Sequence, residues 1–113
     1  MPGQEIDVRQ GTLDLLVLKA ISWGPAHGYT IMSRLRGATD GALRLEDAAL
    51  YPALHRLEAR RLIESEWGLS ENKRKARFYQ LTAAGRRGLR AETADWNRYV
   101  GLVARILDAS QPA

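Results

Sequence analysis

The chain contains no cysteine and only two histidines among its 113 residues. Without thiols, a disulfide framework, a thiolate zinc site and a cysteine nucleophile are all excluded. His27 and His55 are isolated from each other and from other metal-binding side chains, so they do not predict a metal site. We therefore expect neither a metal ion nor a cofactor.

Long apolar runs are also missing. No stretch approaches the roughly 20 apolar residues that a membrane-spanning helix needs, and the start, Met1 to Glu5, lacks the form of a signal peptide. We expect a cytoplasmic protein with no membrane partner. A glycine-rich phosphate loop and a Ser-His-acid arrangement are missing too, so the sequence favours binding over catalysis and predicts no enzyme.

The composition that remains is that of one folded domain. Hydrophobic residues make up 45% and charged residues 27% of the chain, which is typical of soluble globular proteins. A length of 113 residues is enough for one core and too short for two ordinary domains. The net charge of +4 mildly favours nucleic acid or another polyanion as a partner.

The first part of the chain predicts an arm and two helices. Residues 1–10 are polar and predict a flexible N-terminal arm. Thr12 is a candidate cap for a helix over the dense apolar stretch Leu13–Ile21. This helix is apolar on two faces, so it lies in the centre of the core or is shared between subunits. A second helix fits residues 27–36.

A third helix is predicted after a brief strand at Arg44 and Leu45 that packs under the following hairpin. Asp47 is a candidate cap, and leucines at 50, 54 and 57 recur with helical spacing. Pro52 has no backbone N–H and is costly inside a helix. We therefore expect the regular helix to begin late or to bend near Pro52.

A basic hairpin follows the third helix. Its strands fit Ile63–Trp67 and Arg77–Thr82, with Tyr79 and Leu81 on one face and Phe78 on the other. A short helix joined to a two-stranded hairpin with a cationic tip is typical of a winged helix-turn-helix. The predicted fold class is mostly α (α+β), with this DNA-binding domain over residues 11–82.

The last predicted element is a long helix over residues 83–109, capped by Thr82 and followed by a tail at 110–113. Two sets of residues recur every seven positions along it, and its apolar stripe has nothing else in the chain to cover it. We expect a homodimer with this helix at the interface, formed by Leu89, Thr93, Trp96, Val100, Val103 and Leu107.

Four segments in register resemble the PadR family of bacterial transcriptional regulators, in its short form with one C-terminal helix. They are Gly11–Leu18, Trp23–Tyr29, Leu50–Glu58 and Tyr79–Gly85. The resemblance implies a homodimer that binds double-stranded DNA at an inverted-repeat operator, usually as a repressor. Many relatives carry a small hydroxyl residue where this chain has Ala48-Ala49, so a phosphate contact there would need the backbone N–H.

The predicted DNA-binding residues lie on the second and third helices and on the hairpin. His55 and Arg56 have the reach to contact a base edge or a nearby phosphate. Tyr51 is expected to pack between helix and wing more than to touch DNA. The full set is Arg34, Arg36, Ala49, Tyr51, Pro52, His55, Arg56, Lys73, Arg74, Lys75 and Arg77.

Two alternatives stay open. In some drug-sensing relatives, tryptophans of the last helix flank a flat cavity for planar aromatic molecules, which makes Leu15, Trp96 and Val100 a candidate effector site. Trp96 is more simply explained as an aromatic that fills the dimer core.

The second alternative is a winged-helix adaptor that binds protein and not DNA. Acidic residues nearly cancel the basic charge of the part of the chain that contains the third helix and the hairpin: Glu46, Asp47, Glu58, Glu64, Glu66 and Glu71.

Overall fold

The computed structural model describes residues 6–7 and 10–112, and in these it forms four helices and two small two-stranded sheets. The helices are α1 (Gln10–Ser22), α2 (Gly28–Ala38), α3 (Asp47–Ala59) and α4 (Ala83–Asp108). The strands are β1 (Ile6–Asp7), β2 (Leu43–Arg44), β3 (Ile63–Leu69) and β4 (Lys75–Leu81). This order confirms the predicted class, a mostly α winged helix-turn-helix with a long last helix.

Helix α1 is the centre of the core. It packs against α2, α3, α4 and β4, and Val17 and Leu18 on it are completely buried. This position explains why the helix is apolar on more than one face. The helix begins at Gln10, so Thr12 lies inside its first turn, and the prediction that Thr12 caps it is wrong.

Helices α2 and α3 form the helix-turn-helix. Helix α2 buries Ile31, Met32 and Leu35, and Gly41 closes the turn after it with a positive φ of 78° and a hydrogen bond from its N–H to the Arg36 carbonyl. A left-handed conformation of this kind favours glycine. The chain then enters α3, which buries Leu50, Ala53, Leu54 and Leu57.

The start of α3 differs from the prediction. Asp47 is the first helical residue and not the cap, which is Glu46 without a side-chain cap hydrogen bond. The helix does not begin late, because Pro52 lies within it. Proline has no N–H for the carbonyl four residues earlier, that of Ala48. Both residues are exposed, so water can hydrate that carbonyl and reduce the cost.

Strand β2 has a different partner from the one predicted. It spans Leu43–Arg44, one residue before the predicted position, and pairs in parallel with β1. Two residues of the expected flexible arm are thus in a strand. A two-residue strand is too short to give a period-two pattern, so neither β1 nor the pairing could be predicted from periodicity. The rest of the predicted arm, residues 1–5 and 8–9, lies outside the described residues.

Strands β3 and β4 form an antiparallel wing closed by residues 70–74. Their register pairs Ile63 with Leu81 and Trp67 with Arg77. Tyr79 and Leu81 are buried, and Phe78 on the opposite face is half-buried against His27 at a ring-centroid distance of 5.2 Å. The predicted alternation is therefore confirmed. Reciprocal backbone hydrogen bonds of 2.8 and 3.1 Å between Ala26 and Tyr79 fasten the wing to the loop after α1.

Helix α4 leaves the domain at a tightly packed joint. The Thr82 hydroxyl accepts a hydrogen bond from the Gly85 N–H at 2.9 Å, which confirms the predicted cap. Gly85 is buried so close to the Leu62 carbonyl that a Cβ at this position would overlap the oxygen. From Thr93 onward nearly every side chain of the helix is exposed.

Candidate nucleic-acid interface

The exposed side of α3 carries four residues at helical spacing: Ala48, Pro52, His55 and Ala59. We call these four the outer stripe. Spacings of four, three and four place them on one face. Three of them are small, so another molecule can approach the helix backbone closely, and His55 is the member with a hydrogen-bonding side chain.

Ala49 lies beside the outer stripe and not on it. Its side chain is half-buried against the core, and its N–H donates to the Glu46 carbonyl at 3.0 Å. Of the two backbone donors of Ala48-Ala49, the Ala49 N–H is therefore already engaged within the chain.

Arg56 points away from the outer stripe toward α1. Its Nη2 and Nε donate to the two carboxylate oxygens of Asp14 at 2.6 and 3.0 Å. The side chain of Asp14 is only 16% exposed. Hydrogen bonding to Asp14 is the main reason that the pKa of Arg56 is raised above its ordinary value, so the guanidinium is always charged. A two-point contact of this type fixes the orientation of α3 relative to α1.

The two arginines of α2 also have partners inside the chain. Arg34 donates to the carbonyls of Ala20 and Gly24 at 3.0 and 2.7 Å, which satisfies acceptors at the end of α1. Arg36 pairs with Asp47 at 2.9 Å, with both side chains largely exposed. Arg34 is therefore held in place by α1, whereas Arg36 lies at the surface beside the first residue of α3.

Tyr51 is 58% exposed, and its hydroxyl end lies against Gly28 at the start of α2. A Cβ added at Gly28 would be 2.8 Å from the Tyr51 oxygen. The Tyr51 hydroxyl thus lies between α3 and α2. Tyr51 is also one of the groups that raise the pKa of Tyr79 on the wing, and its packing between α3 and the wing stays a prediction. The ring leaves an exposed aromatic edge next to the outer stripe.

The wing tip presents Lys73 and Arg74, both exposed. Lys73 adopts a positive φ of 58°. Ser70 closes the turn because its N–H donates to the Arg74 carbonyl and its carbonyl accepts from the Lys73 N–H, both at 2.8 Å. The turn therefore holds two cations at a defined end of the hairpin.

Lys75 and Arg77 lie over the indole ring of Trp67. The Lys75 Nζ is 5.2 Å and the Arg77 Cζ is 5.6 Å from the ring centroid, within the range of cation–π attraction. Arg77 also donates to the Ser65 hydroxyl at 2.9 Å. No signal in the sequence assigns Trp67 to this cluster, because its neighbours depend on the register of the hairpin.

Glu58 joins α3 to the wing. Its carboxylate accepts from the Ser65 hydroxyl at 2.9 Å and lies 3.8 Å from Arg77. The face of the wing that bears Ser65 and Arg77 is thus the face next to α3. Burial raises the pKa of Tyr79 on this same face, and the charge of Glu58 adds to the increase.

Helix α4 exposes a large apolar surface beyond the domain. Among the predicted interface residues, Leu107 is 77% exposed, Trp96 and Val100 are 42% and 43% exposed, and Thr93 is exposed, whereas Val103 is half-buried. Leu89 is also half-buried and packs on the core of its own chain. Further exposed apolar side chains lie at Tyr99, Leu102 and Ile106. Leu15, the third candidate effector residue, is half-buried on α1.

Metal-binding clusters and membrane-spanning helices are both absent from the part of the chain that the structure describes. Residues 6–7 and 10–112 include no group of three or more His, Asp or Glu side chains able to hold a metal ion. None of the helices in these ranges is long and apolar enough to cross a membrane.

The chain is similar to known proteins over most of its length. A family model described as the transcriptional regulator PadR-like family matches residues 17–91. The crystal structure of a PadR family transcriptional regulator from Eggerthella lenta is 33% identical, with a TM-score of 0.74, and the match covers 89% of this chain and 86% of that one.

The chain is also similar in sequence to two uncharacterized proteins. An uncharacterized protein X of Lysinibacillus sphaericus is 28% identical over 90 residues, which are 80% of this chain and 83% of that protein. An uncharacterized 37.1 kDa protein in transposon Tn4556 of Streptomyces fradiae is 34% identical over 105 residues, which are 93% of this chain and 28% of that protein. The resemblance inferred from sequence motifs is confirmed by the family model and the Eggerthella structure. The chain belongs to the PadR-like family of transcriptional regulators, which are DNA-binding proteins and not enzymes.

Proposed function

We propose that this protein binds an inverted-repeat operator as a homodimer and represses transcription there. The observation that carries the proposal is the outer stripe of α3 beside a wing whose adjoining face and tip are cationic. A helix with small exposed side chains fits into a major groove, and cations beside it neutralise phosphates. Both features lie within residues 17–91, which match the model of a family of transcription regulators.

Of the six acidic residues that favour a protein-binding adaptor, Glu71 lies exposed at the wing tip, and the other five are engaged or lie on the far face of the wing. Asp47 pairs with Arg36, Glu46 with Arg44, and Glu58 with Ser65 and Arg77. Glu64 and Glu66 are on the face of the wing opposite to Ser65, because neighbouring residues of a strand alternate between faces. These charges therefore do little to oppose a phosphate backbone next to α3.

The predicted DNA-binding residues have different roles in this proposal. His55 on the outer stripe contacts a base edge or phosphate, and the cations Lys73, Arg74, Lys75 and Arg77 contact the backbone. Arg56 and Arg34 act by holding α3 and α1 in place. Arg36 remains at the surface, where its ion pair with Asp47 can exchange for a phosphate.

The homodimer is proposed from the exposed apolar side chains of α4. Helix α4 has 26 residues, and the apolar residues of its second half, apart from the half-buried Val103, are exposed to solvent in the single chain. A second copy packed along this helix would cover them and set the recognition helices about 34 Å apart, the distance between successive major grooves. Repression then follows from occupancy of the operator.

An effector is the last part of the proposal. A planar aromatic molecule between two copies of α4 would contact Trp96 and Val100, with Leu15 of α1 as a third contact. Support comes from the partial exposure of both α4 side chains. A planar cationic dye should quench tryptophan fluorescence in the wild type and should not do so in a Trp96→Leu variant, which keeps Trp23 and Trp67.

The operator is tested by selection from a random DNA pool at about 0.15 M salt, near physiological ionic strength. We expect enrichment of an inverted repeat with half-sites one helical turn apart. A Lys73→Ala, Arg74→Ala, Lys75→Ala variant should lose affinity for all sequences, and its salt dependence should flatten by about 0.9 in log–log slope for each phosphate that is no longer neutralised. The matched control is Arg86→Ala, Arg87→Ala, Arg90→Ala, which removes the same charge from exposed positions of α4.

Two outcomes would contradict the proposal. If the wing variant and the α4 control lose affinity equally, the wing makes no local contacts and only net charge matters. If no sequence is enriched and the protein captures no DNA above background, the adaptor function replaces the regulator.

The dimer has its own test by sedimentation at micromolar concentration. Leu107→Asp should shift the wild-type dimer toward monomer. Leu69→Asp makes the same change at a wing residue that is 70% exposed, against 77% for Leu107, and should leave the dimer intact. A monomeric wild type would refute the dimer.

A further inference from the structure

We infer that Trp67 and Leu69 form an apolar contact surface for the sugars of the DNA backbone, so that the wing binds through more than charge. This inference rests on the proposed DNA binding and adds a binding surface to it. Antiparallel pairing places Trp67 opposite Arg77 and Leu69 opposite Lys75. Paired residues project from the same face of a sheet, so these four residues share one face, which we call the outer wing face.

The outer wing face is open in the single chain. Trp67 is 60% and Leu69 70% exposed, and both lie beyond the buried part of the same face, which includes Tyr79. Large apolar side chains placed together on a surface mark a contact site more often than isolated ones do. The wing therefore carries a patch that its own core does not use.

The orientation of this face is fixed by α3. Glu58 of α3 contacts Ser65 and Arg77, and Arg77 belongs to the outer wing face. A ligand seated on the outer stripe of α3 is therefore on the side of the wing where Trp67 and Leu69 are exposed. The opposite face of β3, with Glu64 and Glu66, is turned away from such a ligand.

The charge of the outer wing face indicates what kind of partner it binds. Lys75 and Arg77 flank the indole ring, and none of the residues paired on this face, from Ser65 and Tyr79 outward, is acidic. The matching partner is anionic and has apolar surface between its charges. The DNA backbone has this character, since the apolar faces of deoxyribose alternate with phosphates along it, and proteins contact both the sugars and the phosphates.

The two contributions respond differently to salt. Phosphate contacts release counterions and steepen the salt dependence, whereas burial of an indole ring against sugars releases none. Loss of Trp67 should therefore weaken binding by a similar factor at every salt concentration. Loss of Lys75 should weaken binding at low salt and flatten the dependence.

The experiment measures affinity for random-sequence duplex DNA at several salt concentrations. We expect Trp67→Ala to weaken binding about tenfold, equivalent to about 1.4 kcal/mol, with the wild-type salt slope, and Leu69→Ala to weaken binding by a smaller factor. The matched control is Trp23→Ala, because Trp23 is 50% exposed and also lies under a lysine, with the Lys19 Nζ 5.9 Å from its ring. That variant should bind as the wild type does.

A second measurement uses the protein with Trp67 as its only tryptophan, made by Trp23→Phe and Trp96→Phe. DNA should change the emission of Trp67 at the same concentration that half-saturates binding. The inference is overturned if the emission of Trp67 stays constant on binding or if Trp67→Ala binds DNA with the wild-type affinity. It is also overturned if Trp67→Ala loses affinity and its salt dependence flattens as expected for a missing cation. These results leave the proposed function intact because the wild type still binds; a wild type that binds no DNA overturns both.

Discussion

Replacing Gly85 by alanine tests whether α4 packs against the Leu62 carbonyl too closely for any side chain at position 85. Alanine normally stabilises a helix relative to glycine by up to about 1 kcal/mol. At position 85 the added Cβ would overlap the Leu62 oxygen and lie only 2.9 Å from its carbonyl carbon. Real Cβ atoms essentially never approach so closely, so the backbones must separate.

The Leu62 backbone has little freedom to move. Its carbonyl accepts from the Thr82 N–H at 3.1 Å, and its N–H donates to the Leu57 carbonyl at 3.0 Å. Overpacking a rigid site typically costs about 1–3 kcal/mol, and here both neighbours are backbone. We expect Gly85→Ala to lower the free energy of unfolding by about 2 kcal/mol and the melting temperature by about 8 °C.

The control is Gly88→Ala, one turn further along the same helix. A Cβ there would lie 3.5 Å from a Leu62 methyl group, an ordinary contact, so alanine should stabilise by up to about 1 kcal/mol. Both variants are followed by far-UV circular dichroism during thermal and urea unfolding, at one fixed protomer concentration because the stability of the proposed dimer depends on it. Equal effects of the same sign at the two positions would refute the argument from close approach.

Three further predictions concern single side chains. Asp14→Asn should lower both stability and DNA affinity, and Arg56→Ala added to it should cost little more; a full further loss of DNA affinity would show that Arg56 contacts DNA independently of Asp14. Thr82→Ala should lower the free energy of unfolding by about 1 kcal/mol through loss of the cap, while Thr82→Ser keeps most of it in urea titrations. The pKa of Tyr79 is raised above 10.0, so its folded state favours the protonated phenol: the stability it contributes is complete below pH 10 and is lost as the pH rises through the folded pKa. In Tyr79→Phe this part of the alkaline decline should vanish, whereas Tyr29→Phe, at a residue 79% exposed, should decline as the wild type does.

Local patterns in the sequence were enough to predict the elements with long or sharply bounded signals. The leucines of α3, the alternation around Tyr79 and the Thr82 cap each depend on residues within one or two turns of each other. The caps at Thr12 and Asp47 could not be placed correctly, because helix α1 starts earlier than its apolar stretch and Glu46 precedes Asp47 without a side-chain bond. Helix boundaries are set by tertiary packing as much as by the preference of one residue.

The sequence indicates which residues are candidates for the site, but it does not indicate which of them contact each other. Asp14 and Arg56 are 42 residues apart in sequence, and nothing in either neighbourhood indicates that they meet. The same holds for Arg34, whose acceptors are carbonyls of α1 and of the loop after it. The place of Trp67 depends on the register of the hairpin, which decides the face of every side chain in it.

Because Gly85 packs on Leu62, the first turn of α4 is held rigidly against the DNA-binding domain, and the orientation of the whole helix is set there. A helix of 26 residues is about 39 Å long at 1.5 Å per residue. A rotation of α4 by about 5° about its first turn moves its far end by about 3 Å, close to the 3.4 Å rise of one base pair along a DNA strand. In the proposed dimer, a rotation of this size in either protomer would change the spacing of the recognition helices by about one base pair, and the close contact at Gly85 resists such a rotation.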